Sequence, residues 1–157
     1  MRKMIFVVAA VIGLSAVSAQ AKTAKAPKAI PEPATAEQMQ EAFASTDTVV
    51  LHGIVFGAGR ATITPASRPI LDEIKKLMDL DPVLKISIEV HTDATGKSSA
   101  NLEISKRRAM ALRDSLIKRG VDAKRLTWQG YGDAKPVDTN SNAKGRAKNR
   151  RVELVKK

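Results

Sequence analysis

From Thr48 onward, apolar residues recur either at every second position or at intervals of three and four, and each spacing selects an element. "TVVLHGIVF" at 48–56 is β-branched and apolar and predicts a strand. Ile70, Leu71, Ile74, Leu77 and Met78 share one face at helical spacing; Thr64 stands as the N-cap, Pro65 fits the first helical position, and the helix is expected to end before Asp81-Pro82. "LKISIEV" alternates, with Leu84, Ile86, Ile88 and Val90 pointing one way and Lys85, Ser87 and Glu89 the other. A second helix is expected from about Ser98 to Arg119, burying Leu102, Ala109, Leu112 and Leu116. Gly120 stops it, and Val121 is placed to pack after a glycine cap. "RLTWQGYG" alternates through Leu126 and Trp128, and the final "RRVELVK" through Val152 and Leu154.

The order is strand, helix, strand, helix, strand, irregular basic segment, strand. Alternation in the strands implies a sheet with one apolar and one wet face, so both main helices belong on the apolar face. The expected fold is a two-layer α/β sandwich, β-α-β-α-β-β with a mixed sheet, over residues 48–157.

Ahead of that domain the pattern changes. Met1-Arg2-Lys3 is cationic, Met4 to Val17 is almost wholly apolar, and Ala19-Gln20-Ala21 has the small-x-small form of a secretory cleavage site, so 1–21 reads as a signal peptide. Its apolar run falls short of the ~20 residues a bilayer core requires, and no later segment is apolar enough to span one. Residues 22–36, "KTAKAPKAIPEPATA", lack apolar periodicity and read as an extended, flexible tether; with a short helix at Gln38–Ala44 this linker is taken to 47.

The 157 residues suit one folded domain. The chain contains no cysteine, which excludes disulfides, thiolate metal sites, a cysteine nucleophile and a thioether lipid anchor. Net charge is +11, falling to +9 once Arg2 and Lys3 leave with the signal, and the last fourteen residues hold seven cations against one acid. This balance favours an anionic ligand or polyanionic surroundings. A secreted destination argues against nucleic acid.

Catalysis finds little support. His52 and His91 are the only histidines, and no G-x-S-x-G elbow holds a nucleophile. His91 and Asp93 could ligate a metal, but no third and fourth ligand follow at a recognisable spacing, so no metal site is expected. Gly57-Ala58-Gly59 has Thr62 where a dinucleotide fingerprint needs its third glycine, and reads as a turn; no cofactor is expected. Asn101, Ser105 and Arg108 share one helix face that begins near the Asp93 loop. A carboxylate and a guanidinium so placed can grip a zwitterion, the acid taking an ammonium and the arginine a carboxylate, with the helix N-terminus helping to hold the anion. They can equally form a plain salt bridge that fixes the loop, and spacing does not choose between the two.

Four ordered motifs carry a resemblance: "HTDATG" at 91–96, "NLEISKRRA" at 101–109, "GVDAKRLTWQGYGDAKP" at 120–136 and "NSNAKGRAKNRRVEL" at 140–154. Together they resemble the OmpA-like peptidoglycan-binding domain of Gram-negative envelopes, over about Val49 to Val155. The resemblance implies non-catalytic binding of the diaminopimelate side chain of the peptidoglycan stem peptide. Asp93 would take its ammonium and Arg108 its carboxylate; Asn101 and Arg150 would line the pocket, while Thr92, Thr95 and Gly96 shape the loop. Three positions depart from the pattern: Ile104 for leucine, Val90 for the glycine before the histidine, and Gly57 for an acid. With fewer than thirty residues between signal and first strand, there is no room for a membrane barrel. The expectation is a small free-standing periplasmic member in peripheral association with the outer membrane. The alternative is an envelope assembly or stator-type protein that binds a protein partner, with the tether as a candidate contact and wall contact secondary.

Overall fold

The computed structural model describes residues 26–157. The expected signal peptide at 1–21 lies outside them. The elements in order are β1 (Lys28–Ala29), α1 (Ala36–Ser45), β2 (Thr48–Leu51), α2 (Arg68–Leu80), β3 (Ile86–His91), α3 (Ser98–Lys118), β4 (Leu126–Gly132), α4 (Ala143–Asn149) and β5 (Arg151–Lys156). The strands form one mixed sheet in the order β1-β2-β5-β3-β4. The last strand sits in the middle, antiparallel to both β2 and β3, while β3 and β4 run parallel with α3 as their crossover.

Register explains the core. Val49, Leu154 and Ile88 lie side by side across three strands, as do Leu51, Val152 and Val90, and all six are buried. They join Ile70, Leu71, Ile74, Leu77 and Met78 of α2 and Ala109, Leu112 and Leu116 of α3 in one apolar cluster, so the helices cover one face as expected. The α3 stop also follows the sequence: Gly120 adopts φ +96°, and the Val121 N–H donates to the Leu116 carbonyl at 3.1 Å.

Several details differ. The segment from 28 on is not a flexible tether: β1 pairs parallel with β2, and Ile30, Met39, Ala42 and Phe43 enter the main core. The helix there runs Ala36–Ser45 behind a capping box of Thr35 and Gln38, a local signal that apolar periodicity does not report. β2 stops at Leu51 because the N–H groups of His52 and Gly53 donate to the Glu32 carboxylate rather than to a strand. Thr64 does not cap α2 with its side chain; Pro65–Ser67 form a 3-10 turn first, and Thr64 donates its hydroxyl to the Val55 carbonyl. Leu102 remains partly exposed at 37%, and Ser105 is buried in its place. The basic segment that was expected to be irregular contains α4, capped by Asn142 through a hydrogen bond from the Gly145 N–H.

The second sheet face is polar but not wet. Ser87, Glu89 and His91 of β3, with Arg151 and Glu153 of β5, are all buried. Charge pairing makes this tolerable, since Arg151 Nε donates to Glu153 Oε1 at 2.6 Å.

Candidate functional site

At the carboxyl end of β3 the chain leaves the sheet through Thr92 and Asp93 and re-enters structure at α3. Gly96 turns this loop at φ +89°, a conformation that favours glycine. The Thr95 N–H donates to Asp93 Oδ1 at 2.9 Å, and Asn101 Nδ2 donates to the Asp93 carbonyl at 3.2 Å, which fixes the carboxylate relative to α3. Asn140 Oδ1 accepts from the Ala94 N–H at 3.1 Å and from Asn149 Nδ2 at 2.9 Å, so the loop is also tied to the end of α4.

Arg150 follows α4 directly. Its Nη1 donates to Asp93 Oδ2 at 2.6 Å, while its side chain stays about half exposed. Burial would raise the Asp93 pKa, but Arg150 and the hydrogen bonds from Thr95 outweigh burial and hold the carboxyl below its usual range. Arg108 takes a different position. Its Nε donates to the Arg60 carbonyl at 3.0 Å, its guanidinium lies 5.0 Å from the centre of the Phe56 ring, and burial lowers its pKa without a compensating acid. Among the described residues its terminal nitrogens carry no hydrogen bond. They are open to an incoming carboxylate.

These side chains border one solvent-open hollow of about 380 Å³, lined by Thr92, Asp93, Asn101, Arg108 and Arg150 with Gly59, Ala100, Ile104 and Arg107. Thr95 and Gly96 do not line it; they shape the loop from behind. The acid's ion pair in this structure is with Arg150, not Arg108. Ser105, on the same helix face as Asn101 and Arg108, turns away, and its hydroxyl accepts from the Gly132 N–H at 2.8 Å. A second hollow of about 320 Å³ borders the same two arginines and mixes apolar walls from Leu51, Ile54, Val55, Phe56 and Val152 with His52, His91 and Arg151. Arg108 borders both hollows, and its burial between them accounts for its desolvation.

Sequence reasoning missed Gly59, Arg107 and the asparagine brace. Gly59 belongs to a turn in which the Gly57 N–H donates to the Thr62 carbonyl at 2.9 Å, and its φ of +61° brings that turn to the rim of the hollow. Asn149 is fully buried: its side-chain Oδ1 accepts from the N–H groups of Val137 and Asp138. Only its position beside Arg150 hinted at such a role.

His91 lies at the loop's base, but on the other sheet face. It stacks on Tyr131 at 5.2 Å, and burial together with Arg151 and Lys135 pushes its pKa down to about 3, so the ring is neutral. No described residue forms a nucleophile–base pair with it.

The OmpA family model matches residues 55–150. Over 114 residues the chain is 35% identical to the probable lipoprotein YiaD of Escherichia coli, covering 71% of this chain and 52% of that protein. It is 33% identical to the peptidoglycan-binding protein ArfA of Mycobacterium tuberculosis over 133 residues, 85% of this chain and 40% of the other. The chain thus spans about half or less of the length of these relatives. Among solved structures, a MotB-like protein from Desulfovibrio vulgaris superposes with a TM-score of 0.63 at 28% identity, covering 70% of this chain and 72% of the other. The peptidoglycan-associated lipoprotein of Burkholderia pseudomallei superposes with a TM-score of 0.60 at 25% identity, covering 72% and 92%. The matched span contains the Asp93 loop, α3 and Arg150, and on this evidence the chain belongs to the OmpA family.

Proposed function

We propose that this protein binds peptidoglycan without catalysis, by gripping the zwitterionic end of the diaminopimelate side chain, and that it works in the periplasm against the cell wall. The observation that carries the reading is the placing of Asp93, Asn101, Arg108 and Arg150 around one open hollow. Diaminopimelate ends in an ammonium and a carboxylate on one carbon, and the hollow offers a group of each sign.

In the proposed complex the ammonium donates to Asp93, whose depressed pKa keeps it ionised at neutral pH. The carboxylate accepts from the free terminal nitrogens of Arg108 in a two-bond fork. Arg150 is the exchangeable partner: it neutralises Asp93 in the empty site and turns toward the ligand carboxylate as the ammonium arrives. Asn101 holds the loop backbone in place throughout. Peptidoglycan binding in the name of ArfA supports the reading by family membership. A protein partner for α1 would have to use its outer side, because Met39, Ala42 and Phe43 are buried.

Sedimentation with purified sacculi tests the site. Wild type is expected in the pellet, released by free diaminopimelate, with Asp93→Ala left in the supernatant. Arg108→Ala should weaken binding by about 2–5 kcal/mol, as removing one member of a desolvated charge pair does. Equal sedimentation of wild type and both variants, or no competition by diaminopimelate, sinks the proposal.

A further inference from the structure

We propose a divalent transition-metal site on the sheet face away from the helices, formed by Glu89, His91 and Glu153, with zinc as the fitting ion. Two independent observations point to a cation at this place. First, His91 is 3% exposed, yet among the described residues neither ring nitrogen has a hydrogen-bond partner. Nε2 stands 3.7 Å from Glu153 Oε1, too far for a hydrogen bond. Buried polar atoms of this kind ordinarily find partners. Second, Glu89 and Glu153 face each other directly in the β3–β5 register, a like-charge pair that destabilises a sheet. Arg151 pairs with Glu153, and among the described residues Glu89 has no ion-pair partner.

A cation between these groups resolves both. One donor atom from each residue lies within 4.8 Å of the others. Zinc sits about 2.0–2.2 Å from imidazole nitrogen and carboxylate oxygen, so the carboxylates need move by only about 1 Å to close on it. Tyr131 fixes the imidazole plane from one side. Arg151 donates to Oε1 of Glu153, the same oxygen that faces His91, so the ion would share this carboxylate with the guanidinium. An imidazole in the set favours zinc over calcium or magnesium, which take oxygen ligands. The three residues come from two strands far apart in sequence, so no ligand spacing advertises them. His91 leads straight into Thr92 and Asp93, and an ion here would brace the strand that carries the wall-binding loop. The site stands on its own geometry and does not depend on the proposed wall binding.

The test uses the full chain stripped with chelator and titrated with zinc chloride alone, by calorimetry and by the NMR signals of the His91 ring. One ion per chain is expected, with the His91 ring signals shifting in step. Glu89→Gln should weaken zinc at least about ten-fold, while raising the melting temperature of the metal-free protein because the opposed charge is gone. His52→Ala serves as the surface control and should leave affinity unchanged, and His91→Gln should remove binding. Failure to bind zinc at micromolar concentration, equal affinity in wild type and Glu89→Gln, or binding that leaves the His91 signals unmoved would overturn the assignment.

Discussion

Arg150 and Arg151 are neighbours in the chain and serve opposite sides of the sheet. Arg150 lies over the open hollow and neutralises Asp93, whereas Arg151 is buried against Glu153. Strand geometry made that division legible in the sequence, since adjacent side chains point to opposite faces. The partner of Asp93 was not legible, because Arg150 is 57 residues away and meets the acid only through the placing of α4 and β5. His91 yields a prediction at this scale. Its folded pKa of about 3 lies below its ordinary value of 6.5, so between those values the unfolded chain binds a proton that the native state refuses. Its contribution to stability is complete above pH 6.5 and is lost progressively as the pH falls toward 3, at up to ~1.4 kcal/mol per pH unit. Asp93, with a depressed carboxyl pKa, loses its contribution only lower, as pH falls from its ordinary 3.8 through the folded value. Urea unfolding of wild type and His91→Gln at pH 7, 5.5 and 4.5 in chelator should show the steeper decline in wild type. Parallel declines would mean that the ring is protonated in the native state.

α3 and β4 approach each other more closely than side chains allow, and two glycines make this possible. A Cβ on Gly130 would lie 2.1 Å from the Lys106 backbone nitrogen, and one on Gly132 would lie 2.7 Å from that of Leu102. The contact matters to the site because α3 carries Asn101 and Arg108, and the Ser105 hydroxyl fastens the same helix to Gly132. Gly130→Ala should therefore cost about 3 kcal/mol or more through overpacking against a backbone that cannot yield. Gly59→Ala meets no atom within 4 Å and should cost only about 1 kcal/mol for its left-handed φ. Thermal melts that rank the two variants in the reverse order would refute this account of the interface. The elements themselves were legible in proportion to their apolar content. Ile86, Ile88 and Val90 announce β3, and Ile70 through Met78 announce α2, because burial imposes their period. α4 has the sequence AKGRAKN and no apolar stripe; its cap at Asn142 and the buried Asn149 hold it by hydrogen bonds, which leave no periodic trace.

The sheet closes only when the end of the chain arrives, because β5 fills the place between β2 and β3. The same C-terminal stretch thus supplies the antiparallel neighbour of β2 and, through Arg150, the partner of Asp93 in the hollow. The N-terminal segment joins the same unit from the other edge. Its Ala, Pro and Lys composition hides this: Ile30 stands among prolines and lysines, and Met39 and Phe43 give only one turn of apolar spacing, yet each is buried. Glu32 reinforces the docking by accepting the N–H groups of His52 and Gly53, and Glu73 of α2 does the same for the Ala36 N–H at 2.8 Å. A tether and an integral part of the core make different predictions for one substitution. Met39 has no exposed surface, and Met39→Ala removes its side chain from a packed interior. If the segment belongs to the fold, the variant should lose about 2–5 kcal/mol in urea unfolding, with one cooperative transition and an unchanged slope. A tether tolerates the same change without effect. An unaltered midpoint would return residues 28–45 to the role of linker, and would require the Val49–Leu51 edge of the sheet to be stable without its α1 cover.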